Sequence, residues 1–196
     1  SYCEQGRNFS NKIWNALRLV KGWEIADIPQ PKSSEIGVKW IEEKINQTII
    51  ELEDDFAKYR LSESLMRVYK LVWDDFCSWY LEIIKPAYQM PIDKNTFDST
   101  IEIFERLIKI LHPYMPFITE EIFHIIKERK EDESLMIKLM PSVKEIDREI
   151  LDNFDLACEK ISSIRQLRNE KNISLKQELE LYIKETESDY KEMDGI

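Results

Sequence analysis

Apolar residues return at three- and four-residue steps along most of the chain, the pattern of helices that each bury one face. From Arg7 to Val20 the stripe is Phe9, Ile13, Ala16 or Leu17, and Val20. This first helix is expected to end near Gly22 in a left-handed cap. Pro29 and Pro31 make 27–34 a connecting loop. Ser34 reads as the N-cap of a second helix to about Tyr59, with Ile36, Trp40, Ile41, Ile45, Ile49, Leu52, Phe56 and Tyr59 inward. Ser62 reads as the cap of a third helix, which Pro86 stops. Its apolar set is Leu65, Val68 or Tyr69, Val72, Phe76, Trp79 or Tyr80, and Ile83 or Ile84. A fourth helix is expected over about Asn95 to Leu111 with Phe97, Ile101, Phe104, Ile108 and Leu111 inward, and Pro116 suits the first turn of a fifth through Ile126. Short loops between long amphipathic helices predict an antiparallel bundle.

The pattern changes towards the C-terminus. Residues 127–134 form a charged linker, and Leu135 to Met140 reads as a short strand stopped at Pro141. A helix follows from about Glu145 to Lys171. The run Glu178 to Lys184 alternates apolar and polar residues with the period of a half-buried strand. The expectation is a mainly α fold: a helix bundle at 1–128, then a small, incomplete α/β appendage at 129–196 with a frayed tail.

The 196 residues carry a net charge of −10, which argues against a general nucleic-acid coat. Two basic islands break that average. Residues 1–22 hold Arg7, Lys12, Arg18 and Lys21 against Glu4; residues 165–176 hold Arg165, Arg168, Lys171 and Lys176 against Glu170. No run approaches the roughly 20 apolar residues of a membrane span. Ser1 in place of Met gives the expectation of a fragment or a processed product. Cys3, Cys77 and Cys158 are odd in number and far apart, which fits a reducing compartment better than a disulfide framework or a zinc site.

The polar side of the first helix is unusual. Arg7, Asn11, Asn15 and Arg18 lie about 200° round from Phe9, at roughly 100° per residue. Asn is a poor mid-helix residue because its amide competes for backbone hydrogen bonds, yet Asn8, Asn11 and Asn15 all lie here. Guanidinium groups bridge phosphates or stack on bases, and amides donate and accept on base edges. Trp14, between Asn11 and Arg18, could offer a stacking plane. Equally, the amides could cap neighbouring helices and Trp14 could be core; these residues alone leave both open. Arg165 and Arg168 suit phosphate contacts, or a helix face paired with Glu159 and Glu170.

Catalytic chemistry is hard to find. Asp54–Asp55 and Asp74–Asp75 are paired in sequence, but adjacent helical residues diverge by about 100°, and solvated helix faces are expected. Glu82 is expected to pair with Lys85 or Arg67. Trp40, Trp73, Trp79, Tyr80, Phe104 and Phe117 sit at helical spacing and are expected in the core. Four glycines leave no phosphate loop, Ser, Cys and His make no recognisable triad, and no metal site is expected. Alone, this chain is not expected to be an enzyme.

Several runs resemble the anticodon-binding region of class I aminoacyl-tRNA synthetases. EQGRNFSNKIWNALR (Glu4 to Arg18) is similar to the first helix of that region in the valyl enzymes. VWDDFCSWYLEIIKP (Val72 to Pro86) resembles a central helix shared by valyl, isoleucyl and leucyl enzymes, and LHPYMPFITEEIF (Leu111 to Phe123) their bundle-closing motif. SLMIKLMP stands where the family has a strand ending in Trp-Pro, with Met140 replacing the Trp; IRQLRNEKNIS (Ile164 to Ser174) resembles the following helix end. The resemblance runs from about Tyr2 to Ile183.

It implies a tRNA partner, the valine-specific anticodon stem-loop, read by Arg7, Asn11, Lys12, Trp14, Asn15 and Arg18, with Arg165 and Arg168 on phosphates. It also implies a cytoplasmic, monomeric setting, joined to the remainder of a synthetase chain. ATP and magnesium would belong to that remainder, and no cofactor to this segment. The same module from an isoleucyl or leucyl enzyme, or an acidic helical scaffold for protein partners, are the alternatives.

Overall fold

The computed structural model describes residues 2–180 apart from 131, 142, 144, 175, 176 and 179. The chain divides into two compact units, Ser1–Ile146 and Asp147–Ile196. The first contains α1 (Tyr2–Lys21), β1 (Ile25–Ala26), α2 (Lys32–Ala57), α3 (Leu61–Lys70), a π-helical segment (Leu71–Tyr80), α4 (Leu81–Ile84), β2 (Ile92–Asp93), α5 (Lys94–Leu111), α6 (Pro116–Ile126) and a 3₁₀ turn (Leu135–Ile137). The second holds α7 (Arg148–Glu170).

Most of each expected stripe is core, but Phe56 and Leu65 are exposed, and Ile36, Phe97, Trp73 and Trp79 are half-buried. Phe9, Ile13, Leu17 and Val20 of α1 are buried, as are Trp40, Ile41, Ile45, Ile49 and Leu52 of α2 and Ile101, Phe104, Ile108 and Leu111 of α5. Neighbours joined by short loops, α2 with α3 and α5 with α6, pack as hairpins. α1 instead runs parallel to the α3–α4 helix, and α2 makes the crossover. Phe9 stacks near Tyr69 and Trp73, while Leu19 and Gly22 lie beside Lys85 to Met90. The two-residue strands that follow these helices pair in parallel, Ile25 with Ile92 and Ala26 with Asp93. Such short strands carry too little pattern to be predicted.

The π-helical segment has a cause in the sequence. Val68, Val72, Phe76, Tyr80 and Ile84 repeat strictly every four residues, and all are buried. At 3.6 residues per turn each step of four drifts by about 40°, which over this length would carry the stripe out of the core. Wider turns with i→i+5 bonds cancel the drift. The Leu81 N–H donates to the Phe76 carbonyl in that pattern.

Several helix boundaries differ from expectation. α2 starts at Lys32 after Pro31, whose ring sets an extended entry; Ser34 lies buried within the helix. Tyr59 has left the helix with φ 57 and is exposed. α3 starts at Leu61 behind Arg60, so Ser62 is not its cap. α5 is capped by Asp93, which accepts the Thr96 N–H at 2.8 Å. Gly22 closes α1 by donating to the Arg18 carbonyl at 3.1 Å, without left-handed backbone.

Asp55 is not on a solvated face. It is buried and accepts from Arg67 Nε at 2.6 Å, while Glu51 takes the same guanidinium. Glu82 pairs with Lys85 at 3.4 Å. Phe117 is 90% exposed, because at roughly 100° per residue it falls on the side of α6 opposite the buried Thr119, Ile122, Phe123 and Ile126.

The expected strand at 135–140 is also absent. Leu135–Ile137 forms a 3₁₀ turn, Leu135 is buried, and its N–H donates to the Glu120 carboxylate at 2.9 Å. That bond and the Arg129–Glu105 pair tie the charged linker to the bundle, so the unit boundary falls later than 128/129. Most of the second expected strand, 179 and 181–184, lies outside the described residues.

Glu105 anchors this linker. Lys109, Lys127 and Arg129 approach its carboxylate at 3.2, 3.1 and 2.8 Å. Burial works to raise its pKa, but the three cations outweigh burial and hold it at about 2. A depressed carboxylate stabilises fully above its unfolded value, here near 4.5, and that contribution is lost as pH falls towards 2. After allowance for solvent screening it is on the order of 2 kcal/mol. Urea unfolding followed from pH 5 to pH 2.5 should show that loss, and Glu105→Gln should remove the Glu105 share of the slope.

Candidate nucleic-acid interface

The amphipathic pattern of α1 sets its orientation. Burial of Phe9, Ile13, Ala16, Leu17 and Val20 turns Arg7, Asn11, Asn15 and Arg18 to solvent, and all four are exposed. None forms a hydrogen bond or ion pair with the described residues. The two Asn amides therefore do not cap neighbouring helices. They stand in the mid-helix position that suits them least, beside two guanidinium groups free to meet an external anion or base edge.

Lys12 is half-buried at the rim of this row, with its ammonium 5.0 Å from the centroid of the Trp73 ring. Trp14 is half-buried as well, neither core nor an open platform. Arg165 and Arg168 belong to the second unit. Arg168 donates to the Ser174 and Gln177 carbonyls, where the chain turns after α7 through Asn172 at φ 53. Arg165 is exposed and takes part in a contact of its own within the protein.

At the C-terminal end of α1 the face meets an open groove of about 610 Å³, which sequence reasoning missed. Leu19, Gly22, Trp23 and Glu24 form one side, and Lys85 to Met90 the other. Tyr88 is 90% exposed and Trp23 half-buried, so two aromatic planes border the space. Gln89 has φ 62, a left-handed backbone uncommon for a side chain of this kind. The available signal was a lone aromatic in a loop bounded by Pro86 and Pro91.

Burial raises the Cys77 thiol to about 12 although Lys12 pulls it the other way, so it stays protonated and is no nucleophile near neutrality. Among the described residues no group of His, Cys, Asp and Glu could hold a metal ion. No helix among them is long and apolar enough to cross a membrane.

The site is thus a cationic, amide-bearing helix face beside an aromatic-bordered groove, carried on a helical bundle. The comparisons with known proteins give the chain a family. Residues 38–183 match the family described as the anticodon-binding domain of tRNA ligase, and the chain belongs to it. The matched span begins inside α2, but individual relatives extend the similarity over α1.

The chain is similar to a valine–tRNA ligase of Parabacteroides distasonis, 54% identical over 92% of this chain and 21% of that protein. It is similar to one of Christiangramia forsetii, 47% identical over 99% of this chain and 22% of that protein. One of Fusobacterium nucleatum is 37% identical over 86% and 20%. The chain thus spans about a fifth of the length of these curated relatives.

Proposed function

We propose that this chain is the anticodon-reading segment of a valine–tRNA ligase, whose remaining parts attach valine to its tRNA with ATP and magnesium. The observation that carries the reading is the row of exposed Arg7, Asn11, Asn15 and Arg18 on α1, which have no partner among the described residues. Sequence-specific RNA recognition targets unpaired loop bases, which present edges and ring faces that a duplex hides. Arg7 and Arg18 meet phosphates or base edges, Asn11 and Asn15 read edges, and Lys12 adds a point charge. The groove between Trp23 and Tyr88 suits a splayed base, with the Gln89 amide at its edge. Trp14, Arg165 and Arg168 are secondary: Trp14 is half-buried and Arg168 already donates to two carbonyls.

The setting follows from the same reading: a cytoplasmic, monomeric enzyme in which this segment brings specificity and other parts bring chemistry. On this reading ATP and magnesium belong to the remainder of that enzyme. The test is a titration of the intact protein with valine tRNA and with tRNA carrying permuted anticodons, at stated salt. Preference for the valine anticodon supports the reading. Tighter binding of isoleucine tRNA points to a sister enzyme, and no tRNA binding leaves an acidic scaffold for protein partners.

A further inference from the structure

A second aromatic feature borders the α1 face, at the opposite end from the groove. Trp73 stacks on Tyr69 with ring centroids 5.5 Å apart and planes inclined by 11°, and on Phe9 at 6.3 Å and 16°. Phe9 and Tyr69 close the trio at 5.2 Å. Trp73 belongs to the π-helical segment, and Ser78 Oγ donates to its carbonyl at 2.9 Å. π turns are frequent at functional sites.

Above this trio lies Lys12, whose ammonium forms no ion pair with the described residues. The stem of Lys12 is half-buried against the bundle, and its charge rests over the Trp73 ring. An acidic partner would fix a lysine equally well but would cancel its charge. An aromatic face attracts the cation through its quadrupole and leaves the net charge intact. On a protein of net charge −10, that difference decides whether a lysine can serve a phosphate.

We propose that Trp73 is a positioning residue for tRNA binding: it seats the Lys12 ammonium at the rim of the α1 face without neutralising it. The inference rests on the reading of α1 as the tRNA face, and assigns a function to the ring trio and to the π-helical segment that presents it. A flexible lysine loses rotamer freedom when it takes a phosphate; one already held over a ring has lost part of that freedom beforehand.

The test uses the intact protein and a fluorescein-labelled RNA hairpin carrying the valine anticodon loop, titrated across a salt series. Lys12→Ala should weaken binding and flatten the log–log salt slope by about 0.7, the share of one phosphate in a single-stranded loop. Trp73→Leu should cost roughly two- to fivefold, Trp73→Phe less, and Trp73→Leu with Lys12→Ala no more than Lys12→Ala alone. Stepwise fluorination of Trp73 by site-specific incorporation keeps the ring's shape, drains its electron density and spares the fold. Affinity should fall with each added fluorine in the Lys12 protein and stay level in Lys12→Ala. Losses that add in the double variant, or affinity indifferent to fluorination, would overturn the seat while leaving the face intact. If Lys12→Ala binds like the unsubstituted protein, Lys12 touches no phosphate and the seat falls with it. If the unsubstituted protein does not bind the hairpin, the tRNA reading fails as well.

Discussion

Replacing Arg7 and Asn11 together by alanine weakens binding of valine tRNA by about 30-fold or more, with no loss of thermal stability. Both side chains are exposed and have no partner among the described residues, so the folded protein gives up no internal interaction. Alanine is the better helix former by up to about 0.7 kcal/mol at each site, so the melting temperature should hold or rise slightly. The loss in affinity comes from the ligand side. A well-made contact to a base edge discriminates by roughly 1–3 kcal/mol, and removal of one phosphate contact lowers the salt slope by about 0.7 for a single-stranded loop.

The single variants should divide these effects. Arg7→Ala is expected to weaken all tRNAs alike and flatten the salt dependence. Asn11→Ala should keep the salt slope and relax discrimination among permuted anticodons. Lys39→Ala serves as the control, since Lys39 is an exposed α2 residue paired, among the described residues, with Glu35 alone. Unchanged affinity in the double variant, with the fold intact by circular dichroism, would remove this face from the interface.

How much of this could be read from sequence differs from element to element. The α1 row was legible because burial of one helical stripe dictates what the other side shows, and Phe9, Ile13 and Val20 fix that stripe. Most of the interiors of α2 and α5 were legible for the same reason, whereas Phe117 of α6 was expected inside and is exposed. Ends were not. Pro31 and Arg60, rather than Ser34 and Ser62, precede α2 and α3, because chain entry and burial there outweigh cap preference. Leu135 to Met140 has strand-like composition, but no described strand lies beside it and Glu120 takes its leading N–H. The groove joins residues from two loops far apart in sequence, which no local pattern connects. Asp55 was misjudged because its partner Arg67 lies on the next helix.

The four-residue repeat that widens the third helix makes Phe76 its most costly position, and Phe76→Ala is expected to destabilise the protein by about 3–5 kcal/mol. Phe76 is fully buried near the middle of the π-helical segment. Its ring stacks on Tyr80 at 5.5 Å and meets the Phe104 ring edge-on at 5.2 Å, with planes at 84°. Truncation leaves a ring-sized cavity where the segment meets α5, and where Tyr80 is also fixed by its hydroxyl contact to Thr100 at 2.7 Å. At roughly 2–4 °C per kcal/mol for a domain of this size, calorimetry should register a fall of about 10 °C. Phe117→Ala, at a 90% exposed ring of the same type, should stay within about 0.5 kcal/mol. Because the segment carries Trp73 against Phe9, the Phe76 cavity should also loosen α1, lowering RNA affinity below the melting temperature more than any loss seen with Phe117→Ala. A Phe76→Ala cost under about 1 kcal/mol, well below the usual range for a buried ring, would mean that the segment is not packed as described, and that the four-residue repeat has another cause.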